Sequence, residues 1–133
     1  MQYLLTLYAD EAGFNHMTPE QKQQGMAAYM AYTQALQAAG VYKGSNRLRP
    51  VATATTLRTT NGKVQVLDGP FIESKEQLGG YFLIDVPDLD AALSWASKCP
   101  GVGHGVIEVR AIWDMSPAPQ QQDARHEAVA AAR

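Results

Sequence analysis

Asp68-Gly69-Pro70-Phe71 narrows the folding options of this chain more than any other stretch. Pro70 fixes its own φ and drives the residue before it out of the α region. Gly69 meets that demand with no side chain in the way. A rigid corner is therefore expected here. Behind it come the polar run Glu73-Ser74-Lys75-Glu76, the joint Gly79-Gly80 and an apolar strand from Tyr81 to Val86. A corner, a charged run and a strand in succession aim polar groups at one place. The same residues also make a sound turn followed by solvated charges, and both readings stand at this point.

The segment leading into the corner reads as a hairpin. Residues 51–60, VATATTLRTT, and 63–67, KVQVL, flank Asn61-Gly62, the pair favoured in type I′ turns. A two-residue loop sets Thr60 opposite Lys63, Leu57 opposite Val66 and Thr55 opposite Asp68. The hairpin thus delivers Asp68 to the start of the corner.

Four further elements complete the pattern. Residues 2–8 alternate as a strand with both faces fairly apolar, which suits a strand covered on both sides. Residues 9–17 read as a loop. Thr18, Pro19 and Gln21 have the spacing of a capping box with proline at the first helical position. Met26, Tyr29, Met30 and Thr33 then mark one helical face, prolonged approximately by Leu36 and read as core, and Gly40 is placed to end the helix. Residues 41–50 are irregular or a short strand. Pro87 ends the Tyr81–Val86 strand, and Asp88 caps a second helix with Leu89, Ala92, Leu93 and Ala96 on its buried side. Lys98 suits the C-terminal end, Pro100 stops the helix, and Gly101, Gly103 and Gly105 read as a loose connection around His104. Residues 106–113 form the last strand, with Glu108 and Arg110 on one face.

The order is strand, helix, strand pair, strand, helix, strand. That is a split β-α-β pattern: a ferredoxin-like α+β sandwich with an extra β-hairpin. Helices on one face leave the other open, with Thr6, Tyr8, Tyr81, Leu83, Glu108 and Arg110 on it. A homodimer joined through that face is the expected remedy. From Ser116 onward the chain becomes polar and alanine-rich, giving a domain over 1–115 and a tail over 116–133, with a short helix beginning near Asp123.

Composition bounds the function. A chain of 133 residues with net charge −2 gives no reason to expect nucleic acid or an anionic membrane as partner. Cys99 is the single cysteine, so an internal disulfide is excluded and a thiol cluster disfavoured. The histidines, His16, His104 and His126, lack metal-ligand spacing, and no metal or cofactor is expected. The early leucines have no basic n-region before them, so they do not read as a signal peptide, and the cytoplasm is the default compartment.

The corner with its continuation Glu73-Ser74-Lys75-Glu76 and Gly79-Gly80-Tyr81 resembles the signature of the YCII-related, DGPF-type family. The opening QYLLTLYAD, Gly40, Pro100 and Glu108-Val109-Arg110 fit that pattern too, so the resemblance covers about residues 1–113. It implies a dimeric α/β barrel of two ferredoxin-like subunits. It implies no settled activity. Distant barrel relatives include muconolactone isomerase-like enzymes, a hydroxyquinol-type dechlorinase and small monooxygenases, and some family members are encoded beside extracytoplasmic-function sigma factors. YCII proteins proper carry a His-Asp pair in the cleft; here no histidine falls in a strand.

The candidate site is a cleft between the sheet face and the corner. Glu108, Arg110, Asp68 and Glu76 are its candidate catalytic residues; Tyr8, His16, Glu73, Lys75 and Tyr81 are candidates for substrate binding. Carboxylates beside a cation serve acid–base chemistry, Arg110 suits a substrate carboxylate, and a tyrosine can donate to a carbonyl. The charges also read as structural ion pairs. Two functions follow: a cofactor-independent isomerase or lyase acting on a small anionic or aromatic-derived molecule, or a non-catalytic ligand-binding or regulatory module, with a sigma-factor system as one such context.

Overall fold

The computed structural model describes residues 1–116. The tail expected over 116–133, with its short helix and His126, lies outside the described residues apart from Ser116. Among the described residues, six strands and three α-helices run in the order β1 (Gln2–Ala9), α1 (Glu11–Asn15), α2 (Pro19–Ala38), β2 (Tyr42–Arg47), β3 (Thr55–Thr60), β4 (Lys63–Asp68), β5 (Gln77–Asp85), α3 (Leu89–Ser97) and β6 (Val106–Ala111). The main sheet has the order β2-β5-β1-β6, all antiparallel, which is the ferredoxin-like arrangement. β3 and β4 form a separate two-stranded ribbon inserted between β2 and β5. Its register pairs Thr60 with Lys63, Leu57 with Val66 and Thr55 with Asp68, as expected from the turn. Asn61 and Gly62 both take positive φ, as a type I′ turn requires.

The core lies between the sheet and the helices α2 and α3. Tyr3 and Leu5 of β1 and Phe82, Ile84 and Val86 at β5 meet Tyr32 and Leu36 of α2 and Leu89, Ala92 and Ala96 of α3. Tyr32 packs edge-on against Phe82 at 5.1 Å, and Tyr29 lies flat to it at 6.4 Å. The Tyr32 hydroxyl donates to the Trp95 carbonyl at 2.7 Å, so the ring enters the core without an orphaned oxygen.

That packing corrects the expected stripe on α2. Met26 and Met30 are 62% and 60% exposed. The inward face is Tyr29, Tyr32, Thr33 and Leu36, the other i, i+3, i+4, i+7 set on the same helix. Two tyrosines reach the Phe82 ring on the sheet, and the methionines turn outward. The helix ends as expected. Thr18 and Gln21 form the capping box. At the C-terminus Gly40 has φ +73°, with Val41 N–H bonded to Leu36 O and Gly40 N–H to Gln37 O, a Schellman pair.

Four local expectations change. Residues 11–15 are helical, not loop, because the Asp10 carboxylate accepts from Ala12 N–H and caps a short turn. Of the two readings left open for residues 41–50, the short strand holds: Tyr42–Arg47 form the edge strand β2, pairing with β5. Val51–Thr53 form a 3-10 turn, so β3 starts only at Thr55. Gly79-Gly80 are not a flexible joint before the strand but part of β5, and Gly105 is not loose: a side chain there would overlap the Tyr8 carbonyl oxygen.

Candidate functional site

The site begins with a β-bulge. β1 and β5 pair in step from Gln2 with Asp85 to Leu7 with Gly80, and then Tyr8 pairs with Leu78. Gly79 is the extra residue. Bulges bend a strand and re-aim the side chains beside it. The Gly79 carbonyl turns outward and accepts from Leu48 N–H at 2.8 Å. A second clasp closes six residues later, where Gly69 N–H donates to Ala54 O at 2.7 Å. Between these clasps run two strands of chain, residues 49–53 and 70–78. They form the rims of a cleft of about 770 Å³, with Tyr8, Leu78 and Val106 at the sheet end below.

Both rims are held from outside. The Glu11 carboxylate accepts from Val51 N–H at 2.9 Å, and Glu11 N–H donates to the Gln77 side-chain oxygen at 3.0 Å. The Gln77 amide nitrogen donates back to Ser74 O at 2.9 Å. The short helix α1, unexpected from sequence, is therefore what ties the two rims together. The corner itself is fixed by Gly69 at φ +102°, whose carbonyl accepts from the Thr56 hydroxyl at 2.8 Å.

The wall is largely apolar: Leu48, Val51, Phe71, Ile72, Leu78 and Val106, with Pro50 and Pro70 at the turns. Its polar members are Tyr8, Arg49, Thr53, Thr56, Ser74, Glu76 and Gln77. Of the residues singled out from sequence, Tyr8 and Glu76 line this cleft. Asp68 sits exposed at the end of β4 opposite Thr55, and Glu73 and Lys75 are exposed outside the lining. His16 is the exposed C-cap of α1, and His104 is exposed after the 3-10 turn at Pro100–Gly103.

Glu108, Arg110 and Tyr81 stand elsewhere, on the sheet face that the helices leave open. Thr6 pairs with Tyr81 on one side and Glu108 on the other, and Leu4 with Leu83 and Arg110. Arg110 donates to the Glu108 carboxylate at 3.2 Å, with the two side chains 78% and 50% exposed. An ion pair so exposed contributes little, about 0–1 kcal/mol. The Tyr81 hydroxyl accepts from the Asn46 amide at 2.8 Å. The sequence reading thus joined two places that the fold keeps apart. It missed Arg49, Thr53, Phe71 and Ile72, which belong to irregular segments where no periodicity marks a face; only Phe71, inside the corner motif, carried a signal.

Among the described residues no three His, Cys, Asp or Glu side chains gather as a metal site. Among them, too, no helix is long and apolar enough to cross a membrane. Cys99 is buried, and burial pushes its thiol pKa up, away from thiolate chemistry.

The ferredoxin-like arrangement of sheet and helices agrees with the comparisons to known proteins. The chain belongs to the YCII-related domain family, whose model matches residues 1–116. It is 38% identical over 112 residues to an uncharacterised protein of Rhizobium meliloti (strain 1021), covering 83% of this chain and 90% of that one. Among solved structures it is similar in fold to the 5-chloro-2-hydroxyhydroquinone dehydrochlorinase of Burkholderia phenoliruptrix AC1100, in complex with 2,5-dihydroxybenzoquinone. The TM-score is 0.51 at 16% identity, covering 87% of this chain and 96% of that one.

Proposed function

We propose that this chain binds a small anionic or aromatic-derived molecule in the corner-closed cleft and works there as a cofactor-independent isomerase or lyase. The observation that carries this reading is the bulge with its two clasps, which holds open a mostly apolar cleft of about 770 Å³ with a phenol and a carboxylate on its wall. Pockets of that size and character suit a single small ring. Glu76 is the general base and Tyr8 the donor to a carbonyl or enolate oxygen, so a proton moves without metal or coenzyme. The dehydrochlorinase similar in fold was solved with a dihydroxybenzoquinone, which supports a ring as ligand by analogy of fold alone.

The working form in this proposal is a cytoplasmic homodimer. The ribbon leaves Leu57, Val64 and Val66 64%, 65% and 65% exposed, and on the open sheet face Val106 is 50% exposed. Sheet-to-sheet association covers such a face and sets Glu108, Arg110 and Tyr81 against the second copy. Asp68, Glu73, Lys75 and His16 have no part in the chemistry proposed here.

A non-catalytic binding module is the second reading, favoured by one observation: His16 and His104 both lie outside the cleft lining, so among the described residues no His-Asp pair of the YCII kind is assembled there. Incubation with lactones, hydroxyquinols and keto acids, followed by NMR of ligand and product, separates the two. Turnover lost in Glu76→Gln and Tyr8→Phe supports the enzyme; binding with full recovery of unchanged ligand supports the module. Absence of binding across the panel removes the cleft as the site of either.

A further inference from the structure

The cleft carries one arginine whose charge nothing uses among the described residues. Of the four described arginines, Arg47 stands over the Phe14 ring at 5.0 Å, Arg58 over the Phe71 ring at 5.5 Å, and Arg110 pairs with Glu108. Arg49 has no such partner among the described residues, and it lies on the cleft rim. Glu76 lies on the opposite rim, likewise outside any ion pair or hydrogen bond among the described residues. Both are close in sequence to the same clasp, where Leu48 N–H meets Gly79 O. Two opposite charges on facing rims, each without a partner, give the cleft a polarity. Apolar side chains, Leu48, Phe71 and Leu78 among them, supply the surface between.

A guanidinium matches a carboxylate with two parallel N–H···O bonds, a geometry that a neutral amide cannot equal in strength. A carboxylate side chain accepts from a hydroxyl and repels a second anion. Resting on the reading of this cleft as a ligand site, we infer that Arg49 anchors the ligand's carboxylate and that the ligand is a hydroxylated ring monocarboxylate whose hydroxyl is received by Glu76. Arg49 is then the specificity-determining residue of the cleft, and dicarboxylates are turned away by Glu76.

The test uses the full chain and two probes of one shape, 4-hydroxybenzoate and 4-hydroxybenzamide, titrated by calorimetry and by NMR. The acid should bind about tenfold tighter than the amide, the size of one charge-assisted contact. Arg49→Gln should abolish the difference between acid and amide while far-UV circular dichroism stays unchanged. Arg47→Gln, which removes a nearby cation outside the lining, should leave the tenfold preference in place. Equal affinity of acid and amide for the wild-type chain overturns the anchor and leaves the cleft reading standing. A preference abolished equally by Arg47→Gln also overturns it, because the effect would then be the general field of the surface. Failure of both probes to bind overturns the anchor and the cleft reading together.

Discussion

The Thr56 hydroxyl donates to the Gly69 carbonyl at 2.8 Å, and so locks the corner that follows the ribbon to the strand that opens it. Gly69 has φ +102°, a conformation that costs an L residue about 1–3 kcal/mol. Gly69→Ala should therefore destabilise the chain by about that amount, and Thr56→Val by about 1 kcal/mol for the lost hydrogen bond. Urea unfolding followed by circular dichroism measures both. Since this corner also holds the rim 70–78, ligand binding should weaken in the same two variants.

At Gly80 the constraint is space rather than φ. A Cβ there would stand 2.7 Å from the Asn46 carbonyl oxygen, across the β2–β5 pairing. Because the obstacle is backbone rather than a flexible side chain, β2 must shift. Gly80→Ala should cost about 1–3 kcal/mol, the usual penalty of overpacking. Amide exchange should show the loss concentrated in residues 42–47. Protection unchanged along β2 would mean that the strand absorbs the methyl elsewhere.

The division between what the sequence disclosed and what it did not follows the range of the interactions. Turn chemistry is local, so Asn61-Gly62 set the ribbon register and Thr18, Gln21, Gly40 and Asp88 set the helix ends. Alternation placed Tyr3, Leu5, Phe82 and Ile84 on the core face. On α2, two faces fit the helical period equally well, and the choice of Tyr29, Tyr32 and Leu36 depends on Phe82, far away in sequence. The cleft is less legible still. Arg49, Thr53 and Ile72 meet only through the Gly79 bulge and the clasps to Leu48 and Ala54, none of which leaves a periodic trace. Glu108 and Arg110 looked like cleft residues because strand alternation placed them with Tyr8 on one face; the face is shared, but they sit further along it.

Alkaline pH should weaken the fold. Burial is the main cause that raises the Tyr29 hydroxyl from 10.0 to about 12, and it raises Tyr32 and Cys99 as well. Each group is held neutral in the folded state and ionises more readily once unfolded. Their stabilising contribution is thus complete below the unfolded pKa and declines as pH rises through that value toward the folded one. Stability from urea titrations should be flat to about pH 8, begin to fall at about pH 9 as the Cys99 thiol ionises in the unfolded chain, and fall further between about pH 10 and 12 as the tyrosines do. Tyr29→Phe should make that fall shallower. A steeper or unchanged fall in the variant would place the alkaline sensitivity on other groups.

The proposed homodimer makes the last prediction. In a single chain Leu83 stands on the open sheet face between Leu4 and β2, and Val66 pairs with Leu57 on the exposed ribbon. A lasting sheet-to-sheet interface needs on the order of 2,000 Å² of buried surface. Burying apolar area there contributes roughly 25 cal/mol per Å² before the cost of association is subtracted. Light scattering at micromolar concentration should report twice the chain mass. Leu83→Lys puts a charge in the middle of that face without touching the core side of β5, so it should shift the mass to that of one chain while the circular dichroism stays native. Val66→Lys distinguishes the role of the ribbon. If the ribbon lies against the second copy, this variant also dissociates; if it stays dimeric, the contact is confined to the main sheet. A wild-type chain that runs as a monomer with its fold intact would leave Leu83, Leu57 and Val66 in water and remove the dimer from the proposal.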